Sequence, residues 1–191
     1  MKYQLAFLSA VVLLGGCGGA NSGNNNTPPA TGTIAFVATR GGNTDIYSID
    51  GNGQNQRRLT TDPASDTYPA LSRDGRKIVW MSITSTLRTV NIMNADGEGK
   101  RQLTSSPSDA WPSISPDGSK VAFMRNVGGK FQIFLMDSAG GVPSQLTFGD
   151  RSNLFPPAFS PDGQSLVYIS TTDNVNNLIN RVGINGGAPQ P

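Results

Sequence analysis

Short apolar runs recur along the chain from residue 34 onward, each bounded by Gly, Asp, Asn or Pro. One column reads Ile34-Ala35-Phe36-Val37, Ile78-Val79-Trp80-Met81, Val121-Ala122-Phe123-Met124 and Leu166-Val167-Tyr168-Ile169. A second reads Ile46-Tyr47-Ser48-Ile49, Val90-Asn91-Ile92-Met93 and Ile133-Phe134-Leu135-Met136, with Val182-Gly183-Ile184 as a weaker copy. Runs this short, rich in β-branched and aromatic side chains and flanked by turn residues, predict strands. The first column is apolar at every position and does not alternate. Its strands are therefore expected to be covered on both faces.

Two further markers keep the same period. Ser72-Arg73-Asp74-Gly75, Ser115-Pro116-Asp117-Gly118 and Ser160-Pro161-Asp162-Gly163 recur at spacings of 43 and 45 residues. Leu59-Thr60, Leu103-Thr104 and Leu146-Thr147 recur at 44 and 43. A repeat of this length built only of short strands reads as one four-stranded sheet per copy. Each copy is expected to hold a short inner strand before the Ser-x-Asp-Gly turn, two central strands, and an outer strand at Leu-Thr. Asp74, Gly75, Asp117, Gly118, Asp162 and Gly163 are read as structural turn residues, since Gly tolerates positive φ and Asp bonds nearby amides. Sheets covered on both faces suit the blades of a propeller, each sandwiched between its neighbours.

The order Pro-x-x-Ser-Pro-Asp-Gly, apolar strand, Ile-x-x-Met-Asp, Gly, Leu-Thr resembles the repeat of the TolB-like β-propeller family. Pro112 to Thr147 matches almost throughout, and Pro69 to Thr104 departs mainly by Arg73 in place of Pro. The resemblance implies an all-β fold, a β-propeller of four-stranded antiparallel blades spanning residues 32–191. Blades are expected at about 32–60, 68–104, 111–147 and 155–191. The first copy begins at its second strand and the last stops before its Leu-Thr pair. About 3.5–4 blades, fourteen strands, are therefore expected as an incomplete, open propeller. An open arc suggests a truncated product or completion by self-association.

The first seventeen residues read differently. Lys2 precedes a ten-residue apolar run, Leu5 to Leu14, broken only by Ser9. A bilayer span needs about 20 apolar residues, so the run fits a signal-peptide core instead. It ends in Leu14-Gly15-Gly16-Cys17, which resembles the lipobox of bacterial lipoproteins and implies lipidation of Cys17. Gly18 after the Cys resembles the default outer-membrane sorting pattern. Residues 18–31, with no charge and no large apolar side chain, are expected to form a flexible tether. The expected location is an exported protein, lipid-anchored to the membrane and facing the periplasm or cell surface.

Composition narrows the chemistry. Of 191 residues, 15 are Lys or Arg and 13 Asp or Glu, a net charge of +2 that gives no electrostatic reason to expect nucleic acid. Arg57-Arg58 and Lys100-Arg101 sit at the same repeat position, as a repeated solvated edge would. There is no His, which removes His-dependent triads and His-ligated zinc from this chain. Cys17 is the only cysteine, so no disulfide or Cys-rich metal site forms within it. Asp96-Gly97-Glu98 and Asp50-Gly51-Asn52-Gly53 lack the full ligand series of a calcium loop and read as hairpin turns. No metal and no cofactor are expected.

Candidate binding residues come from the approach to each inner strand, Asp66-Thr67-Tyr68-Pro69, Asp109-Ala110-Trp111-Pro112 and Asn153-Leu154-Phe155-Pro156-Pro157. A propeller gathers these approaches at one mouth of its channel. Asp66, Tyr68, Asp109, Trp111, Asn153 and Phe155 are therefore candidate mouth residues, against the plainer reading of capped turns with a packed aromatic. Thr171 to Asn177 is a longer hairpin loop and a second candidate contact. The TolB resemblance implies a non-enzymatic role in binding envelope proteins or peptides. The alternatives are the propeller portion of a prolyl-oligopeptidase-like hydrolase or of a sugar-processing enzyme. The first of these would bring a Gly-x-Ser-x-Gly elbow and a His, and this chain has neither.

Overall fold

The computed structural model describes residues 32–172 and 176–190, and every regular element among them is a β-strand. Cys17 and the tether lie outside the described residues, as does the centre of the Thr171–Asn177 loop. Strands β1 (Thr33–Arg40), β2 (Asn43–Asp50) and β3 (Arg57–Arg58) form a first antiparallel sheet. β4 (Ser65–Leu71), β5 (Lys77–Ile83), β6 (Arg88–Asn94) and β7 (Arg101–Gln102) form the second, in sequence order. β8 (Asp109–Ile114), β9 (Lys120–Val127), β10 (Lys130–Asp137) and β11 (Ser144–Gln145) repeat it as the third. The fourth sheet holds β12 (Ser152–Asn153), β13 (Ala158–Phe159), β14 (Ser165–Thr171) and β15 (Leu178–Gly183). Both β12 and β13 pair with β14, as two pieces of one inner strand. Gln190 bridges Arg181 and so begins an outer edge beyond β15.

The Ser-x-Asp-Gly turns join inner to central strands with one shared geometry. In each, the Gly amide donates to the Ser carbonyl at 2.9 Å and the Gly has φ near +70°: 73° at Gly75, 70° at Gly118, 71° at Gly163. That φ is open to Gly at little cost. The Ser hydroxyl donates to the Asp carboxylate, at 2.6 Å for Ser115 to Asp117, and accepts from the amide at the start of the next strand. Ser72 with Asp74 and Ser160 with Asp162 repeat the arrangement. The carboxylate also accepts the amide two residues on, from Arg76, Ser119 and Gln164.

Burial explains the unbroken apolar column. Ile78 and Trp80 pack with Ala35 and Ile46 of the first sheet, whereas Val79, between them in sequence, packs with Val121 and Phe123 of the third. Ala122 turns the other way and meets Leu166, Tyr168 and Val182 of the fourth. Side chains alternate across a strand, so in the second and third sheets each residue of the column faces one neighbouring sheet or the other, whereas the end sheets are covered on one face only and Val167 is 41% exposed. Three apolar clusters thus join four sheets in line, first to second, second to third, third to fourth. The described chain is an open propeller arc.

Polar ties reinforce the stacking. Lys77 Nζ donates to the Gly118 carbonyl at 3.1 Å and the Ser138 hydroxyl at 2.9 Å, both on the third sheet. The Asp74 amide reaches the Pro116 carbonyl at 3.2 Å. The recurrent basic pairs also bridge sheets: Arg57 donates to the Asp96 carbonyl at 2.8 Å and Arg101 to the Ser138 carbonyl.

Two boundaries differ from the expected ones. The outer strands are the two residues before Leu-Thr, because Leu-Thr forms a clamp instead. The amides of Leu59, Leu103 and Leu146 donate at 2.8 Å to the carbonyls of Ile46, Val90 and Ile133. The hydroxyls of Thr60, Thr104 and Thr147 accept from the amides of those same residues at 3.0, 3.0 and 2.9 Å. The inner strands begin earlier than expected, at Ser65 and Asp109, since the aromatic-Pro pair lies inside them as a bulge.

Phe123, fully buried between the second and third sheets, tests the stacking. Phe123→Ala should cost about 3–5 kcal/mol in urea unfolding. Val142→Ser, at a side chain 94% exposed, should change stability by less than about 0.5 kcal/mol.

Candidate functional site

The inner strands of the second, third and fourth sheets are interrupted at the same place. Pro69 and Pro112 have no N–H to give to the ladder, and pairing resumes one residue later, at Ala70 and Ser113. The residue before each proline takes a left-handed backbone, φ 53° at Tyr68 and 51° at Trp111. For a bulky L-residue that conformation costs roughly 1 kcal/mol or more and persists only where its surroundings enforce it. In the fourth sheet the extra proline, Pro157, lengthens the bulge and splits the strand into β12 and β13.

Burial divides the six candidate mouth residues. Asp66 and Asp109 are 0% exposed and Asn153 is 2% exposed, all three between sheets, where a partner at the mouth does not reach them. The aromatics face outward: Tyr68 is 42% and Phe155 56% exposed, and Trp111 is partly buried. Tyr68 and Trp111 meet edge to face at 6.3 Å between ring centres, and Trp111 meets Phe131 in the same way at 5.0 Å. Edge-to-face contacts of this kind hold rings in place beyond what buried area alone supplies. Phe131 opens β10, and its isolated aromatic position in the sequence carried no signal of membership in this row.

The three equivalent buried groups are held in three different ways. Arg125, from the neighbouring β9, donates to both oxygens of Asp109 at 2.6 and 2.9 Å and lies over the Phe134 ring at 4.8 Å. At the matching position of β5 stands Ser82, so Asp66 accepts hydrogen bonds from Ser82 and, at 3.0 Å, from Trp80 Nε1, with no basic side chain paired to it among the described residues. Asn153 donates to the Thr147 hydroxyl at 3.0 Å, which ties the inner strand of the fourth sheet to the clamp of the third. These groups position the bulges. They hold the strand at the point where the aromatic turns out.

Beside the bulges the inner strands β4, β8 and β13 enclose a cavity of about 430 Å³. Its wall is apolar, formed by Leu71, Ile114 and Phe159 and by six prolines: Pro69, Pro112, Pro116, Pro156, Pro157 and Pro161. Tyr68 stands on it, and Arg73 is its one charged side chain. A half-open apolar space next to exposed aromatics suits packing against a ligand's apolar side chains. The described lining offers no nucleophile–base pair.

Burial pushes the Asp66 carboxyl above its usual range, and hydrogen bonds from Ser82, Thr60 and Trp80 pull it back only in part. The folded protein therefore holds this proton to higher pH than the unfolded chain does, from the ordinary value of 3.8 upward. That contribution to stability is complete below the ordinary range and is lost as pH rises through the raised value. Asp66→Asn should raise the melting temperature more at pH 7 than at pH 4. Asp117 runs the other way, held down to about 2 by the Ser115 hydroxyl and the Ser119 amide and hydroxyl, so its contribution is lost only in strong acid. Arg125→Ala leaves Asp109 buried without its partner and should cost about 3 kcal/mol in denaturant unfolding.

The chain was compared with known proteins. Residues 84–189, more than half of it, match the model of the TolB beta propeller domain. A protein TolB homolog of Chlorobium chlorochromatii is 29% identical over 137 residues, 72% of this chain and 31% of that relative. The chain thus spans about a third of that relative's length. The solved structure of a putative TolB from Agrobacterium tumefaciens superposes with a TM-score of 0.71 at 21% identity, covering 83% of this chain and 60% of that one. A puromycin-hydrolyzing peptidase of Mycobacterium tuberculosis shares the fold, with a TM-score of 0.64 at 15% identity over 90% of this chain and 29% of the peptidase. With its repeats, its open stack of antiparallel sheets and these matches, the chain belongs to the TolB β-propeller domain family.

Proposed function

We propose that this chain is a non-enzymatic, membrane-anchored protein of the cell envelope that captures other envelope proteins or peptides through its propeller channel. The observation that carries the reading is the site itself: an apolar, proline-walled cavity of about 430 Å³ beside aromatics that strained bulges turn outward. Such a wall offers shape and apolar area, the means by which folded domains grip short segments of partners. Membership of the TolB family supports protein binding over catalysis. The peptidase likeness bears on the fold alone, and this chain has no His for that chemistry.

Tyr68, Trp111 and Phe155 are the proposed contacts. Asp66, Asp109 and Asn153 act behind them, fixing the bulges from between the sheets. Cys17 carries the anchor, and residues 18–31 carry the propeller away from the membrane, in a sorting context that favours the outer membrane. The lipid is the proposed link to the membrane. No nucleic acid, cofactor or metal has a part in the reading.

A photo-crosslinking amino acid placed at Tyr68 in living cells should trap a protein partner, whereas the same group at Arg57, on an outer strand, should trap none. Equal yields at the two positions, or none at Tyr68, would remove the channel from the account. Metabolic labelling with a fatty-acid precursor should mark the wild type and miss Cys17→Ser. A labelled Cys17→Ser protein would end the anchor reading.

A further inference from the structure

The repeats act as internal controls for one another, and the channel wall departs from them at two places. Along each inner strand the wall runs in matched rows. One row is Leu71, Ile114 and Phe159; the next is Ala70, Ser113 and Ala158; the one at the turn is Arg73, Pro116 and Pro161. Two of these rows carry a polar exception. Arg73 stands where the other copies have proline, and it makes no hydrogen bond or ion pair among the described residues. Ser113 stands where the others have alanine, and its buried hydroxyl has no hydrogen-bond partner among the described residues. Both exceptions line the same cavity, and both lack partners among the described residues.

We infer that the channel holds an extended apolar peptide segment of a partner protein and fixes it through one acidic side chain, with Arg73 as the anchor. This rests on the channel-capture reading above and names the chemistry of what is captured. An exposed guanidinium at the end of an apolar wall has no ion-pair partner among the described residues, and a carboxylate matches its planar donors two to two. Two amides of the turn at Arg73 are already used within the fold, and two neighbouring positions have none. The Asp74 amide is taken by the Pro116 carbonyl and the Gly75 amide by the Ser72 carbonyl, and Pro116 and Pro161 have none. A terminal carboxylate is usually captured by free backbone amides, so an acidic side chain fits this end better.

The prolines decide the rest of the segment's chemistry. They cannot donate to a strand lying alongside, so the segment is held by side-chain packing and not by an added ladder. Tyr68, in the bulge of β4, and Arg73, in the turn that follows it, are five positions apart, a span of at most about 16 Å. An extended segment of similar length therefore sets apolar residues against the prolines and the aromatic row when its acidic residue meets Arg73.

The test is selection from random peptides displayed at the N-terminus of a phage coat protein, so that no free carboxyl terminus is offered. The purified chain is compared with Arg73→Pro, which restores the proline that the other repeats carry. Wild type should select apolar sequences holding a single Asp or Glu, and Arg73→Pro should select apolar sequences without it. A selected peptide, synthesised with both ends capped, should lose about tenfold in affinity for the wild type when its acidic residue is changed to the amide, and little for Arg73→Pro. Apolar binders with no acidic preference, or the same preference with and without Arg73, would overturn the anchor and leave channel capture standing. If neither protein selects any peptide, channel capture and the anchor fall together.

Discussion

The central strands of the second and third sheets are buried on both faces, and neither face is covered by its own sheet. Val79 needs the third sheet and Ile78 the first; Phe123 needs the second and Ala122 the fourth. A single sheet would leave a full apolar face in water, so one repeat has no stable existence alone, and stability resides in the interfaces between neighbours. The other regularities serve that requirement. The Ser-x-Asp-Gly turns fix where an inner strand enters its sheet, the Leu-Thr clamps close the outer side, and Lys77, Arg57 and Arg101 tie one sheet to the backbone of the next.

Much of this was legible from the residues. A column apolar at every position has one plain explanation among strands, coverage on both sides, and the column's period gave the number of sheets. The turns were legible because Gly and Asp carry their backbone preferences with them. What could not be read was the break within the inner strands. Pro69 and Pro112 read as the end of a connection, since a proline usually marks a strand's boundary, yet here the ladder continues beyond it. Whether a strand resumes depends on what holds the two sides in register, and that is tertiary: the carboxylates of Asp66 and Asp109 enclosed between sheets. The same fact separated the candidate residues. An Asp two residues before an aromatic looks like a second contact, but in a strand the two positions belong to different environments once a bulge lies between them.

The cavity was invisible for a related reason. Its wall comes from three inner strands about 44 residues apart, and no local pattern announces that Leu71, Ile114 and Phe159 share a surface. Arg73 was visible only as a departure from the repeat. Its surroundings give the departure a meaning, because a proline row with one arginine is an apolar surface with one charge. The rigid frame and the site are thus linked. Stacked sheets fix the inner strands, the buried acids fix the bulges, and the bulges fix the aromatics beside the channel.

The central claim is that the sheets stabilise one another and unfold together. Hydrogen exchange of the central-strand amides tests it most directly, following β5 and β6 of the second sheet and β9 and β10 of the third under conditions where exchange reports opening equilibria. The account predicts one shared opening free energy for all four strands, falling equally in both sheets when Phe123 is truncated to Ala. Protection that differs between the sheets, or a truncation felt only in β9 and β10, would contradict it.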